Sequence, residues 1–248
     1  DEHLGEGSAK TKFGYNIAAI QTLKQIEAEG RQARPDEQEI LSRYVGWGGI
    51  PQAFDEKNTQ WSEEYRQLKE LLTEKEYDAA RSSTLNAHYT SPTVIRAMYD
   101  AIEKMGFRTG NVLEPSCGVG NFFGMLPDDM SGSRLYGVEL DSITGRIARQ
   151  LYPDARITIS GFEKTQRRDF FDLAIGNVPF GGYKVSDKQF DKYNFLIHDY
   201  FFAKTLEQVR PGGVIAYITS KGTMDKASPD VRRYIAQRAE LLGAIRLP

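Results

Sequence analysis

Two short stretches of this 248-residue chain carry residue types that could do chemistry. The first runs from Asn111 to Phe123, NVLEPSCGVGNFF. Val112 and Leu113 read as a short buried strand, and Pro115-Ser116-Cys117-Gly118-Val119-Gly120 cannot continue it, so the strand ends in a glycine turn and a helix begins near Asn121. Gly118 and Gly120 let the backbone turn tightly and approach a ligand, and the N–H groups of the following helix offer donors to a polar or anionic group. Such a turn suits a nucleotide-type cofactor at the carboxyl end of the first strand of an open α/β sheet, although an ordinary strand-to-helix turn has the same sequence. The surroundings favour the cofactor. Arg134–Glu139 reads as a second strand ending in an acid, where a ribose-binding carboxylate belongs, with Asp141 as a second candidate. The other stretch, Phe171 to Phe180, is a further apolar strand running into the turn Asn177-Val178-Pro179-Phe180. As structure alone, a strand closed by an Asn/Pro turn is common.

Taken together, Glu-Pro-Ser-Cys-Gly-Val-Gly-Asn-Phe at 114–122, the acid Glu139 and Asn177-Val178-Pro179-Phe180 resemble motifs I, II and IV of the S-adenosylmethionine-dependent adenine-N6 DNA methyltransferases. His88-Tyr89-Thr90-Ser91-Pro92 resembles their motif X, and its place before motif I is the order of the gamma class, which includes type I modification subunits. More narrowly, the chain is similar to the methylase portion of large helicase–methylase proteins of conjugative elements. The resemblance implies a Rossmann-like class I methyltransferase sheet with helices on both faces, in an α/β core at 88–248, preceded by a helical N-terminal region at 1–87. It implies S-adenosylmethionine as cofactor, bound by Tyr89, Thr90, Glu114, Pro115, Ser116, Gly118, Gly120, Asn121, Phe122, Glu139, Leu140, Phe162 and Asn177. It implies DNA as partner, with helicase and target-recognition domains elsewhere in a parent chain.

In that family the obstacle to reaction is the adenine amine's lone pair, which is delocalised into the ring. The Asn177 side-chain carbonyl and the Val178 main-chain carbonyl can accept both amine hydrogens and concentrate electron density on nitrogen, while Phe180 stacks on a base extruded from the duplex and Pro179 fixes the turn. The usual form is Asn-Pro-Pro-aromatic. Val178 departs from it at a position that acts through its backbone, so function is expected to survive with a less rigid loop. A second departure is Gly161, where many relatives carry an acid that contacts the cofactor's adenine; either Glu163 or backbone groups replace it, or the contact is lost, and Phe162 remains as an apolar wall. Methylation of RNA or of a protein glutamine is the alternative, and a catalytically inactive DNA-docking module of a helicase is another.

Composition narrows the field. The single cysteine, Cys117, excludes an internal disulfide and thiolate-rich zinc sites, and makes a cytoplasmic compartment the simpler account. Cys117 reads as a small residue in a tight loop, since cytosine-C5 enzymes need a Pro-Cys nucleophile on another loop. Histidines at 3, 88 and 198 lack metal-ligand spacing, so no metal is assigned, and no apolar run is long enough for a membrane span. A formal charge of −2 provides no broad basic field for nucleic acid. Any DNA contact is local, and the candidate is the polar, flexible segment Gly181–Tyr193, whose Lys184, Lys188 and Lys192 interleave with Tyr183, Phe190 and Tyr193; a solvated loop is the plain alternative.

The elements that must position these residues follow from periodicity and punctuation. The first dozen residues read as loose; helices are expected over Asn16–Glu29, Asp36–Tyr44, Ser62–Leu72 and Thr73–Ser83, the last with a Thr73/Glu76 capping box. Trp47, in the break Gly46–Pro51, reads as a buried anchor for this region, with a DNA contact as the alternative. Ser91-Pro92 starts a helix that Gly106 closes. Further on come a helix at Ser142–Leu151, a strand at Arg156–Ile159, a helix at Asn194–Val209, a turn at Arg210–Gly213, a strand at Val214–Thr219, a helix from Ser228-Pro229 to Glu240, and a sixth strand at Leu241–Leu247. The chain opens without Met and stops after an apolar run, which reads as a fragment lacking the family's last strand and leaving a sheet edge exposed.

Overall fold

The computed structural model describes residues 7–84 and 90–247. Four helices come first: α1 (Ala9–Ala28), α2 (Pro35–Ser42), α3 (Ser62–Leu71) and α4 (Glu74–Ser83). α1 starts seven residues before the expected position because Ser8 caps it, its hydroxyl accepting from Thr11 N–H at 3.2 Å. The Thr73/Glu76 capping box opens α4. Trp47 is buried, edge-on to Phe13, Tyr44 and Phe54 at centroid separations of 6.1, 6.4 and 5.2 Å. Buried in that cluster, it is the anchor of the helical region and has no surface to offer DNA.

Five parallel strands follow: β1 (Asn111–Glu114), β2 (Arg134–Glu139), β3 (Arg156–Ile159), β4 (Phe171–Asn177) and β5 (Val209–Ile218), in the order β3-β2-β1-β4-β5. The strand order reverses between β1 and β4, and the crevice outside their carboxyl ends is where such sheets bind ligands. The remaining helices are α5 (Pro92–Lys104), α6 (Asn121–Gly124), α7 (Ser142–Leu151), α8 (Ile197–Gln208), α9 (Gly222–Asp225) and α10 (Asp230–Ala236). One sheet face packs Val112, Leu173 and Ile175 against Ile95, Tyr99 and Ile102 of α5; the other packs Leu113, Tyr136 and Phe171 against Phe201 of α8 and Tyr234 of α10. The alternation of Val112 and Leu113 between faces is the period-two signature of a strand buried on both sides.

α7 lies between the sheet and the helical region. Its Ala148 packs with Ile157 of β3, while Ile143 and Ile147 belong to the cluster around Trp47. Arg146 reaches Glu27 at 3.0 Å and Glu76 at 2.5 Å, and Gln150 receives the Ala33 N–H at 2.9 Å.

Four expectations need correction. Leu241–Leu247 is not a strand: it joins no ladder among the described residues, and Leu241, Leu242 and Ile245 are 68, 62 and 89% exposed. An apolar run without a ladder partner or a face to cover has no reason to become one. Arg210–Gly213 is not a turn ahead of a strand but a bulge inside β5, where the register jumps from Phe171↔Val209 to Leu173↔Val214 and Gly212 takes φ +80°. α8 begins at Ile197 rather than Asn194, because Asn194 is in the left-handed region at φ +57°, and α10 stops at Ala236. Among the described residues no helix is long and apolar enough to cross a membrane, and no cluster of His, Cys, Asp and Glu is arranged to hold a metal ion.

Candidate functional site

The glycine turn is a closed structure. Gly118 has φ +56° and Gly120 φ +89°, so the chain reverses through two left-handed residues that favour glycine. A Cβ on Gly120 would meet the Tyr152 ring at 2.5 Å, and one on Gly124 would strike the Tyr152 hydroxyl. The turn consumes its own donors: Cys117 N–H donates to Val138 O at 2.9 Å, Gly120 N–H to Cys117 O at 2.8 Å, and Gly118 N–H to Glu139 Oε2 at 2.8 Å. The helix after it is a single turn, four residues long. So short a helix brings little dipole to its N-terminus, and the turn suits a nucleoside without phosphates better than a dinucleotide.

Two acids flank the turn. Glu139, half-buried at the end of β2, accepts from Gly118 N–H and, through Oε1, from Asp141 N–H at 2.8 Å. Burial pushes its carboxyl up to about 7 against the pull of those N–H groups. Asp141 is engaged as the N-cap of α7, accepting from Thr144 N–H at 2.9 Å. Beside them Leu140 is 77% exposed, an apolar side chain on the rim. Glu114, at the end of β1, is buried, and its Oε2 finds no hydrogen-bond partner among the described residues. Burial, then the nearby Glu139, raises the Glu114 carboxyl well above the ordinary range. Cys117 is likewise buried and its thiol pushed up, which suits a packing residue rather than a nucleophile.

β4 brings the second stretch to the same end of the sheet. A Cβ on Gly176 would lie 3.2 Å from Glu114 Cγ, so β4 passes close beside the β1 acid and delivers Asn177 next to it. Asn177 Nδ2 donates to Thr90 Oγ1 at 3.2 Å, which turns Oδ1 the other way; Oδ1 is buried and has no partner among the described residues. Val178 N–H donates to Ile218 O at 3.1 Å, which ties the turn to β5, and the Val178 side chain is buried. Pro179 and Phe180 are half-buried, and no peptide bond among the described residues is cis. Thus Thr90, Glu114, Pro115, Ser116, Gly118, Gly120, Asn121, Glu139, Asn177 and the 178–180 turn gather at the carboxyl ends of β1, β2 and β4. Tyr89 lies outside the described residues.

Two further candidates, Phe122 and Phe162, are buried. Phe122 points into the core with Tyr99, whose hydroxyl donates to Phe122 O at 2.8 Å, so it supports the turn from behind. Phe162 is buried against Phe201, rings stacked at 4.8 Å. At the neighbouring position, a Cβ on Gly161 would collide with the Glu163 carboxylate, which folds back over it. The segment after the turn is less loose than its composition suggests: Phe190 is buried, and Asp187 binds Lys204 at 2.9 Å and the Tyr200 hydroxyl at 2.8 Å. Lys184, Lys188 and Lys192 stay on its exposed side, Lys184 bonded to Asn194 and Lys192 lying 4.9 Å from the Tyr193 ring. Sequence reasoning missed His198, Asp199 and Lys226. A His-Asp pair in a helix's first turn reads as solvated, and no local signal marks its burial.

No family model matches the chain. It is similar to Defense against restriction protein B of Escherichia phage P1, 28% identical over 240 residues, which is 94% of this chain and 9% of that protein. It is also similar to Type II methyltransferase M.CvrRI of Paramecium bursaria Chlorella virus XZ-6E, 35% identical over 79 residues, covering 32% of this chain and 21% of the other. The chain thus spans a small part of the length of either relative. Among solved structures, one described as a modification subunit of a type I restriction enzyme, from Vibrio vulnificus YJ016, superposes with a TM-score of 0.50 at 19% identity, covering 71% of this chain and 43% of that one. With its parallel sheet, glycine turn and flanking helices, the chain has the fold of the class I S-adenosylmethionine-dependent methyltransferases, preceded by a helical region.

Proposed function

We propose that this chain binds S-adenosylmethionine at the glycine turn and methylates the N6 amine of an adenine flipped out of DNA. The observation that carries the reading is Asn177: a buried amide oxygen without a partner among the described residues, its nitrogen held by Thr90, at the switch point of the sheet beside a phosphate-free nucleoside site. The relatives' names support the class of substrate, since one is a viral methyltransferase and the superposed structure is a modification subunit.

The residues fit the cofactor. Glu139 would accept from the ribose hydroxyls through lone pairs that Gly118 and Asp141 leave free, Leu140 would lie against the adenine, and Glu114 would hold the amino-acid end. When bound, the cofactor supplies a methyl group on a sulfonium, an electrophile whose leaving group is a neutral thioether. The chain's part would be to hold the amine nitrogen facing that methyl group, so that a bimolecular step becomes effectively unimolecular. One amine N–H donates to Asn177 Oδ1 and the other to the Val178 carbonyl, freeing the lone pair; Phe180 stacks on the base. Bound there, the cofactor would give up its methyl carbon while the thioether leaves with the C–S electron pair, and the amine held by Asn177 and Val178 would lose its proton to water. Val178 stands where the usual turn has its first proline, and its N–H, bonded to Ile218 O of β5, ties the turn down by a bond proline could not make.

The test is mass spectrometry of nucleosides and of tryptic peptides after incubation with labelled cofactor, DNA and protein substrates. N6-methyladenine is expected; label in peptides alone overturns the DNA assignment. Asn177→Ala should lower kcat by about 10²–10³-fold, the loss typical of one polar group aimed at a reacting centre.

A further inference from the structure

The first turn of α8 holds a buried polar cluster that none of the chemistry above uses. His198 is 3% exposed and Asp199 1% exposed. Neither ring nitrogen of His198 has a hydrogen-bond partner among the described residues, and His198 Nε2 lies 3.8 Å from Asp199 Oδ1, which also lacks one. The other carboxylate oxygen, Oδ2, is paired with the Lys226 ammonium. Lys226 follows α9, in the segment that leaves the carboxyl end of β5. The backbone of that segment passes over the imidazole: a Cβ on Gly222 would lie 3.5 Å from His198 Nε2. The segment is also braced internally, by Thr219 and Thr223 hydroxyls 3.2 Å apart and by Arg232, which donates to Lys226 O at 2.8 Å.

Both walls of this cluster continue directly into the Asn177–Phe180 turn. On one side Ile218, last residue of β5, accepts the Val178 N–H and pairs in register with Asn177. On the other, Ile197 N–H donates to Tyr183 O at 2.9 Å, three residues beyond Phe180. The cluster therefore joins the two segments that bracket the turn, immediately behind it. A buried ion pair is a poor means of raising stability, since an apolar pair of the same volume does as well, but it defines one geometry and penalises others. Burial holds the imidazole neutral, so Lys226 is left as the cation that answers the Asp199 charge.

We propose that His198, Asp199 and Lys226 form a positioning set that fixes the Asn177–Phe180 turn from behind, governing presentation of the target amine and not capture of the cofactor. The catalytic half of this statement rests on the function proposed above; the structural half does not. Two readouts separate them. Amide hydrogen exchange at Val178 and Ile197 should quicken by about tenfold or more in Asp199→Asn, while amides of β1 and β2 are unchanged. On DNA, the same variant should lose kcat by about tenfold or more with the cofactor Kd within about twofold of the parent value, and Lys226→Arg should keep kcat near the parent value. Unchanged exchange at Val178 in a cooperatively melting Asp199→Asn overturns the proposal. So does a loss of cofactor affinity that matches the loss of kcat. If exchange quickens in Asp199→Asn but the parent protein methylates no DNA, the positioning set stands and the substrate reading falls. Should Asp199→Asn not fold, the same measurements are made on Asp199→Leu/Lys226→Met, which leaves no unpaired buried charge and is held to the same outcomes.

Discussion

Glu139 shows how one side chain can serve two purposes at once. Its carboxylate is both the clamp on Gly118 and Asp141 and the proposed ribose acceptor, and burial holds it near 7. A raised folded value means that this group favours folding most below its unfolded value of about 4.5 and loses that contribution as pH rises through about 7. Ribose hydroxyls donate to the ionised form, so binding releases a proton near neutrality. Cofactor affinity should therefore rise several-fold between pH 6 and pH 8. Calorimetry in two buffers of different ionisation enthalpy should find up to one proton released at pH 6, and Glu139→Gln should bind weakly with no pH dependence. The residues of this site were legible from type and spacing: glycines that must take positive φ, an acid at a strand end, an amide before a proline. His198 and Asp199 were not. Their burial is created by Lys226 and Gly222, more than twenty residues away, and nothing within a helical turn of them announces it.

At the scale of elements, β2, β3 and α7 lie where periodicity places them, since each is bounded by clear punctuation and buries one defined face. Failures occur where an element's fate depends on a distant partner. Leu241–Leu247 has strand composition but no ladder to join, and the bulge in β5 lies where Arg210 pairs with Asp172 of β4, a partner far along the chain. α7 is the element on which most depends, since it packs on the sheet through Ala148 and on the helical region through Ile143 and Ile147. Trp47→Ala empties the centre of that shared cluster, and a loss of about 3–5 kcal/mol is expected, the range for truncating a buried large aromatic side chain. Urea denaturation followed by circular dichroism checks it. Because the cluster crosses from the helical region to α7, which packs on the sheet, a single transition shifted to lower urea is expected; a new early transition involving the helices alone would show that the two parts unfold independently.

Over the whole molecule, a charge of −2 leaves no general attraction for a polyanion, so the placement of a few cations matters. Lys184, Lys188 and Lys192 project from a segment anchored through Asp187 and Phe190, next to the turn that would receive the base. Replacing all three by Ala should weaken DNA binding and reduce the slope of log K against log salt by about 2–3, the value for three lost phosphate contacts on duplex DNA. Fluorescence anisotropy over a salt series measures it, and an unchanged slope removes the segment from the DNA site. The ring of Tyr152 has one more consequence, for which changes this fold can accumulate. A Cβ at Gly120 would run into its ring carbons, whereas one at Gly124 would clash only with its hydroxyl, the nearest ring carbon lying at an ordinary contact distance of 3.5 Å. Gly124→Ala should therefore be damaging by itself and largely repaired by Tyr152→Phe, a pair whose melting temperatures do not add. Gly120, at φ +89°, has no such partner. One glycine is replaceable along an ordered path, phenylalanine first and alanine second, while the other is locked by its backbone whatever happens at position 152.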